Sequence, residues 1–227
     1  MASPKDDAST DIESLTKAFA VDMTAACAAL RKARIETNKK AADAAAKNKK
    51  DDKKKDDKKS ADPPEVTFVL DPSKASKCRT PAEQAQEVVE NQSWVCWGAH
   101  MADKARHVLM KSDGKVTWDP KKTMGDDYDA FKKKWAEVMK AKGLKNAKGG
   151  DGWYDGDAFH LEMADSKIAK TDDRVKACLE EYARLSRKEG KGKNAKFEKD
   201  YADLLKDYLK KYEKEPEKEK EKEPEKK

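Results

Sequence analysis

The chain has 227 residues, of which 42% are charged and 37% apolar, where an average soluble protein is about one quarter charged. Such a composition allows a modest core and obliges the surplus charge to stay in water. No apolar run approaches the roughly eighteen residues of a membrane helix, and Asp6, Asp7, Asp11 and Glu13, with no apolar block after a basic start, argue against a secretory or transit leader.

The formal net charge of +6 is unevenly placed: residues 39–59 alone hold ten Lys against five Asp. Of the 51 basic residues only seven are Arg. Lysine is a mobile, hydrated point charge without the planar fork that reads a base or clamps a phosphate, so the pattern favours solubility and diffuse attraction over base reading. Cys27, Cys78, Cys96 and Cys178 are widely spaced and form no C-x-x-C pair. They read as reduced thiols rather than a disulfide framework, which places the chain in the cytoplasm or another reducing intracellular compartment.

In chain order, residues 1–9 are polar and expected to be disordered. An N-terminal amphipathic helix is expected over 10–46, capped by Ser9 or Thr10, because Ile12, Leu15, Phe19, Met23 and Leu30 recur at helical spacing. Residues 47–64 (KNKKDDKKKDDKKSADPP) offer nothing to bury and read as a linker ended by Pro63 and Pro64. A helical body is then expected over 65–212. Glu65–Leu70 is the best strand signal, and Lys115–Trp118 is a second, following the turn Ser112-Asp113-Gly114.

Thr80-Pro81-Ala82-Glu83 opens a helix as a capping box. It is expected to run to about Lys111, with a break near Asn91–Ser93 and with Trp94, Trp97, Met101, Ala105 and Val108 on one face. The next helix carries Tyr128, Phe131, Trp135, Val138 and Met139 and closes at Gly143. After a Gly- and Asp-rich loop, a short helix is expected over Phe159–Ala169. A helix capped by Thr171 carries Val175, Cys178, Leu179, Tyr182 and Leu185. Gly190 and Gly192 separate it from a last helix bearing Phe197, Tyr201, Leu204, Leu205, Tyr208 and Tyr212, and residues 213–227 form a charged tail expected to be disordered. The expected fold class is mainly α, a small bundle of four to five amphipathic helices with at most two short strands.

Four groups of residues are candidates for chemistry. Asp151, Asp155, Asp157 and Glu162 partly match a calcium loop, with Gly156 at the glycine position, but Trp153 stands where a ligand is wanted, so an acidic turn is the plainer reading. Cys96, His100 and His107, with Cys78, resemble a zinc set if they share one helix face, yet no tight cysteine pair anchors it. Cys96 and His160 are the pair a thiol hydrolase would need, provided Ser93 starts a fresh helix. Lys49, Lys50, Lys53, Lys54, Lys55, Lys58 and Lys59 would attract nucleic acid or an anionic surface, but interleaved Asp weakens their field.

The leading expectation is therefore a non-enzymatic helical interaction or assembly protein without a cofactor. Ile12, Leu15, Phe19, Met23 and Leu30 would form its docking face, toward a protein partner or a second copy. The alternatives are weak, sequence-independent association with nucleic acid, as in a coat or packaging protein, and the hydrolase built on Cys96 and His160.

Overall fold

The computed structural model describes residues 11–48, 62–73, 78–93, 95–96, 98–166 and 168–213. The expectations for residues 1–9, for most of the 47–64 linker with Lys49 to Lys59, for Trp94 and Trp97 and for the 213–227 tail beyond Glu213 lie outside the described residues. The chain divides into two compact units, one of residues 1–78 and 103–166 and one of residues 79–102 and 167–227.

The first unit opens with α1 (Ile12–Asn48). Asp11 caps it, one residue later than expected, its carboxylate accepting from the Ser14 amide at 2.8 Å. Ile12, Thr16, Phe19, Ala20, Met23 and Cys27 are buried, the one-in-three-or-four rhythm that puts side chains on one stripe. The hydroxyl of Thr16 is satisfied by the Ile12 carbonyl at 2.8 Å, which makes a polar residue tolerable on that stripe.

The sheet against which α1 packs has five antiparallel strands: β1 (Val66–Leu70), β2 (Ala105–Ser112), β3 (Lys115–Thr117), β4 (Leu144–Lys145) and β5 (His160–Met163). The long strand β2 is central. β1 lies along one side of it, with Val66 opposite Ser112 and Leu70 opposite Val108. The other side is shared by β3, opposite 110–112, and β5, opposite 105–107, and β4 continues outward from β5. Asp113 and Gly114 make the β2–β3 turn, both with positive φ (47° and 78°), the mirrored turn that matches strand twist. On β1 the Phe68 amide donates to the Thr24 hydroxyl at 2.8 Å, so α1 supplies a partner to an edge-strand donor.

The sheet overturns the mainly-α expectation; the fold is mixed α/β. Two segments account for the difference. The helix from Thr80 does begin with the capping box, but α2 (Pro81–Val89) stops there, and Asn91 and Asp103 adopt left-handed φ of 58° and 57°. Beyond them Arg106, Val108 and Met110 are buried in alternation, a period of two. The spacing of Met101, Ala105 and Val108 satisfies a helix equally well, so the pattern alone does not separate the two. Likewise the Phe159–Ala169 helix is replaced by β5 and a turn. The strand signals at 65–70 and 115–118 hold.

A short helix α3 (Pro120–Met124) and α4 (Tyr128–Ala141) complete the unit. Phe19, Phe68, Phe131 and Trp135 form its centre. The Trp135 ring meets those of Phe19 at 4.7 Å and Trp153 at 5.0 Å, edge to face.

The second unit is helical: α2, α5 (Asp173–Ala183) with one π turn over Arg184–Lys188, α6 (Ala195–Asp200) and α7 (Ala202–Glu213). The last helix is thus two helices joined at Tyr201. Val88, Cys96, Cys178, Tyr182, Phe197 and Leu205 are fully buried. Asn194 holds the connections: its amide nitrogen donates to the carbonyls of Val88 and Ser93, its side-chain oxygen caps α6, and its backbone amide donates to Tyr182. Among the described residues no helix is long and apolar enough to cross a membrane.

Candidate functional site

Antiparallel pairing sets His107 of β2 directly opposite His160 of β5, and side chains of directly opposed residues project to the same face. Their rings meet edge to face with centroids 5.0 Å apart, and His160 Nδ1 stands 3.4 Å from His107 Nε2. Asp157 lies in the short 3-10 turn that feeds β5. Its two oxygens approach both rings, at 3.5 Å from His107 Nε2 and 3.6 Å from His160 Nδ1. Glu162 is two residues beyond His160 and shares its face of β5, so its carboxylate reaches the other ring nitrogen, Nε2, at 3.2 Å. His160 is buried, His107 and Glu162 are mostly buried, and Asp157 is half exposed.

A cleft of about 360 Å³ opens beside this cluster, lined by Asp71, His107, Trp118, Asp157, Ala158 and Phe159. Trp118 is 65% exposed, held with its ring 5.8 Å from that of Phe159, edge to face. Asp71 is buried, and its carboxylate is aimed by the Ser73 amide and hydroxyl, both at 2.8 Å. The Asp71 amide donates to the His107 carbonyl at 3.0 Å, which ties this wall to β2.

The four carboxylates of the calcium expectation divide among three sets of partners. Asp151 pairs with Lys145, Asp155 accepts from the Trp153 indole at 2.6 Å and the Tyr128 hydroxyl at 3.2 Å, and Asp157 and Glu162 serve the histidines. The loop is organised instead by Asn146, whose side-chain oxygen accepts from the Lys148 and Gly150 amides. The helix face expected to carry Cys96, His100 and His107 does not form: Cys96 lies in a bend, His100 in a turn and His107 on a strand.

Cys96 is not in the first turn of a helix either. It is fully buried, and burial pushes its thiol up to about 12; a nucleophilic cysteine needs the opposite shift. The expected docking residues Ile12, Phe19 and Met23 are buried in the core of the first unit, with Leu15 and Leu30 partly buried against it. The His107–His160 pairing was not legible without the sheet register. The one local signal was the alternation His160-Leu161-Glu162 after Asp157, which reads as a strand face only if a helix is not assumed.

Comparison with known proteins found no matching family model, no matching curated protein and no matching solved structure.

Proposed function

We propose that the chain is a non-enzymatic interaction protein that seats a positively charged group in the cleft beside Trp118. The observation that carries this reading is the pairing of an exposed indole with two carboxylates, Asp71 and Asp157, on the walls of one cleft. An indole left in water forgoes the gain of burial. Its face attracts a cation, more strongly where water is partly excluded, and the carboxylates add charge complementarity. A lysine or arginine side chain of a protein partner has the chemistry to fill it. The raised thiol of Cys96 weighs against the hydrolase.

Titration with a short Arg-centred peptide, followed by fluorescence, tests the reading. The Arg peptide is expected to bind and its Glu-centred counterpart not to. Trp118→Ala is expected to weaken binding roughly 2- to 30-fold, the range of a cation–π contact. Equal binding of both peptides, or indifference to Trp118→Ala, refutes it.

A second reading, self-assembly through α1, is favoured by one feature. The buried stripe of α1 is a wall of the first unit's core, yet α1 ends at Asn48 and the next described element, β1, begins at Val66. An element supplied across such a connection is able to exchange between copies. Sedimentation of the full chain over a range of concentrations decides: a concentration-dependent dimer supports exchange, and a monomer throughout removes it.

A further inference from the structure

We propose that the inner wall of this cleft is a divalent transition-metal site, with His107 Nε2, His160 Nδ1 and the Asp157 carboxylate as ligands and Glu162 as the outer partner that orients His160. The inference rests on the reading of the cleft as a seat for positive charge and adds a metal ion at its inner wall.

Distances decide between a metal site and a hydrogen-bonded cluster. The ring nitrogens His160 Nδ1 and His107 Nε2 stand 3.4 Å apart, Asp157 Oδ1 is 3.5 Å from His107 Nε2, and Asp157 Oδ2 is 3.6 Å from His160 Nδ1. Good side-chain hydrogen bonds to nitrogen or oxygen run about 2.7–3.2 Å, so all three are long for that purpose. In a tetrahedral zinc site with bonds of about 2.0–2.1 Å, neighbouring ligand atoms stand about 3.3–3.4 Å apart. The nitrogen–nitrogen edge of 3.4 Å matches that tetrahedron, and Asp157 presents one oxygen to each ring at nearly the same separation.

Protonation fits as well. Glu162 faces His160 Nε2 at 3.2 Å, placed to accept from a ring that carries its proton on Nε2. That leaves the lone pair on Nδ1, the atom turned toward His107 and Asp157. A ligating histidine whose other nitrogen donates to a carboxylate is the usual outer-shell arrangement of zinc. Two imidazoles and one carboxylate suit a borderline d-block ion such as zinc, while calcium and magnesium call for oxygen ligands throughout. Three protein ligands leave a fourth position for water or for a group that enters the cleft, since His107 and Asp157 also line it.

The test uses the full chain, stripped with a chelator and titrated calorimetrically with Zn²⁺ alone, then with Co²⁺ alone for its visible spectrum. One ion per chain is expected, with the intense cobalt bands of four-coordinate geometry. His107→Gln and Asp157→Asn are expected to weaken binding at least 10-fold; Asp157 is half exposed, so the latter variant should keep its fold, as circular dichroism will check. Glu162→Gln should weaken binding about 10- to 100-fold while leaving four-coordinate cobalt bands. Cys78→Ser, which alters the exposed thiol, should change nothing. Absence of one-to-one binding, or binding unaltered in both His107→Gln and Asp157→Asn, overturns the site. If no metal binds but the Arg peptide still does, the metal assignment falls and the cleft reading stands; if neither binds, both fall.

Discussion

At the scale of single residues, the thiols show how position overrides chemical identity. Cys27, Cys96 and Cys178 are buried and Cys78 is exposed. Burial removes water from the charged form, which pushes Cys27 and Cys96 up to about 12 and moves Cys178 in the same direction. Native protein treated with iodoacetamide is therefore expected to gain one adduct, on Cys78, and four only after denaturation; fast labelling of any other cysteine, read by mass spectrometry, would contradict this burial. The same shifts set an alkaline limit. In the unfolded chain the thiols ionise near pH ~8.5, while the folded chain keeps them protonated to a higher pH. Their contribution to stability is complete below that unfolded value and is lost as pH rises toward about 12. Melting temperature should therefore fall progressively above pH ~9.

At the scale of elements, the two units are assembled differently. In the helical unit short elements meet through a polar hub. Asn194 is 2% exposed and uses its side-chain amide nitrogen, its side-chain oxygen and its backbone amide in hydrogen bonds. Asn194→Ala removes the side-chain donor to the Ser93 and Val88 carbonyls, of which Val88 still accepts from the Asn91 amide, and uncaps α6, and is expected to cost roughly 2–3 kcal/mol in chemical denaturation. A loss under about 0.5 kcal/mol would mean that water replaces the side chain. Close by, the Glu198 carboxyl is raised by burial, but hydrogen bonds from Arg187 and Tyr182 outweigh this and leave it below its ordinary value. In the sheet unit the organising element is β2, which pairs with three strands and carries His107. Its residues 105–112 satisfy both a helical and an alternating reading, so which one prevails depends on partners far along the chain.

At the scale of the whole molecule, α1 is the element whose loss should matter most. It contributes Ile12, Phe19, Met23 and Cys27 to the first unit's core, and its removal would expose Phe68, Phe131 and Trp135. A chain beginning at residue 62 is expected to lose the near-ultraviolet dichroism of its packed tryptophans, with each large side chain that loses its cover costing on the order of 2–5 kcal/mol. Retention of a native-like near-ultraviolet spectrum and a cooperative melt would show that α1 is an accessory.

Local signals sufficed wherever a few adjacent residues determine the outcome: the Thr80–Glu83 capping box, the Asp113-Gly114 turn, the β1 run Val-Thr-Phe-Val and the long stripe of α1. Caps and turns close hydrogen bonds within four residues, and a stripe needs only its own spacing, so neither depends on distant chain. The sheet and the histidine cluster belong to the other category. A strand's amides are satisfied by residues remote in sequence, and His107 meets His160 across 53 positions only because one register aligns them. Composition and periodicity carry no record of that register, which is decided when the apolar faces of β2, α1 and α4 close over one core.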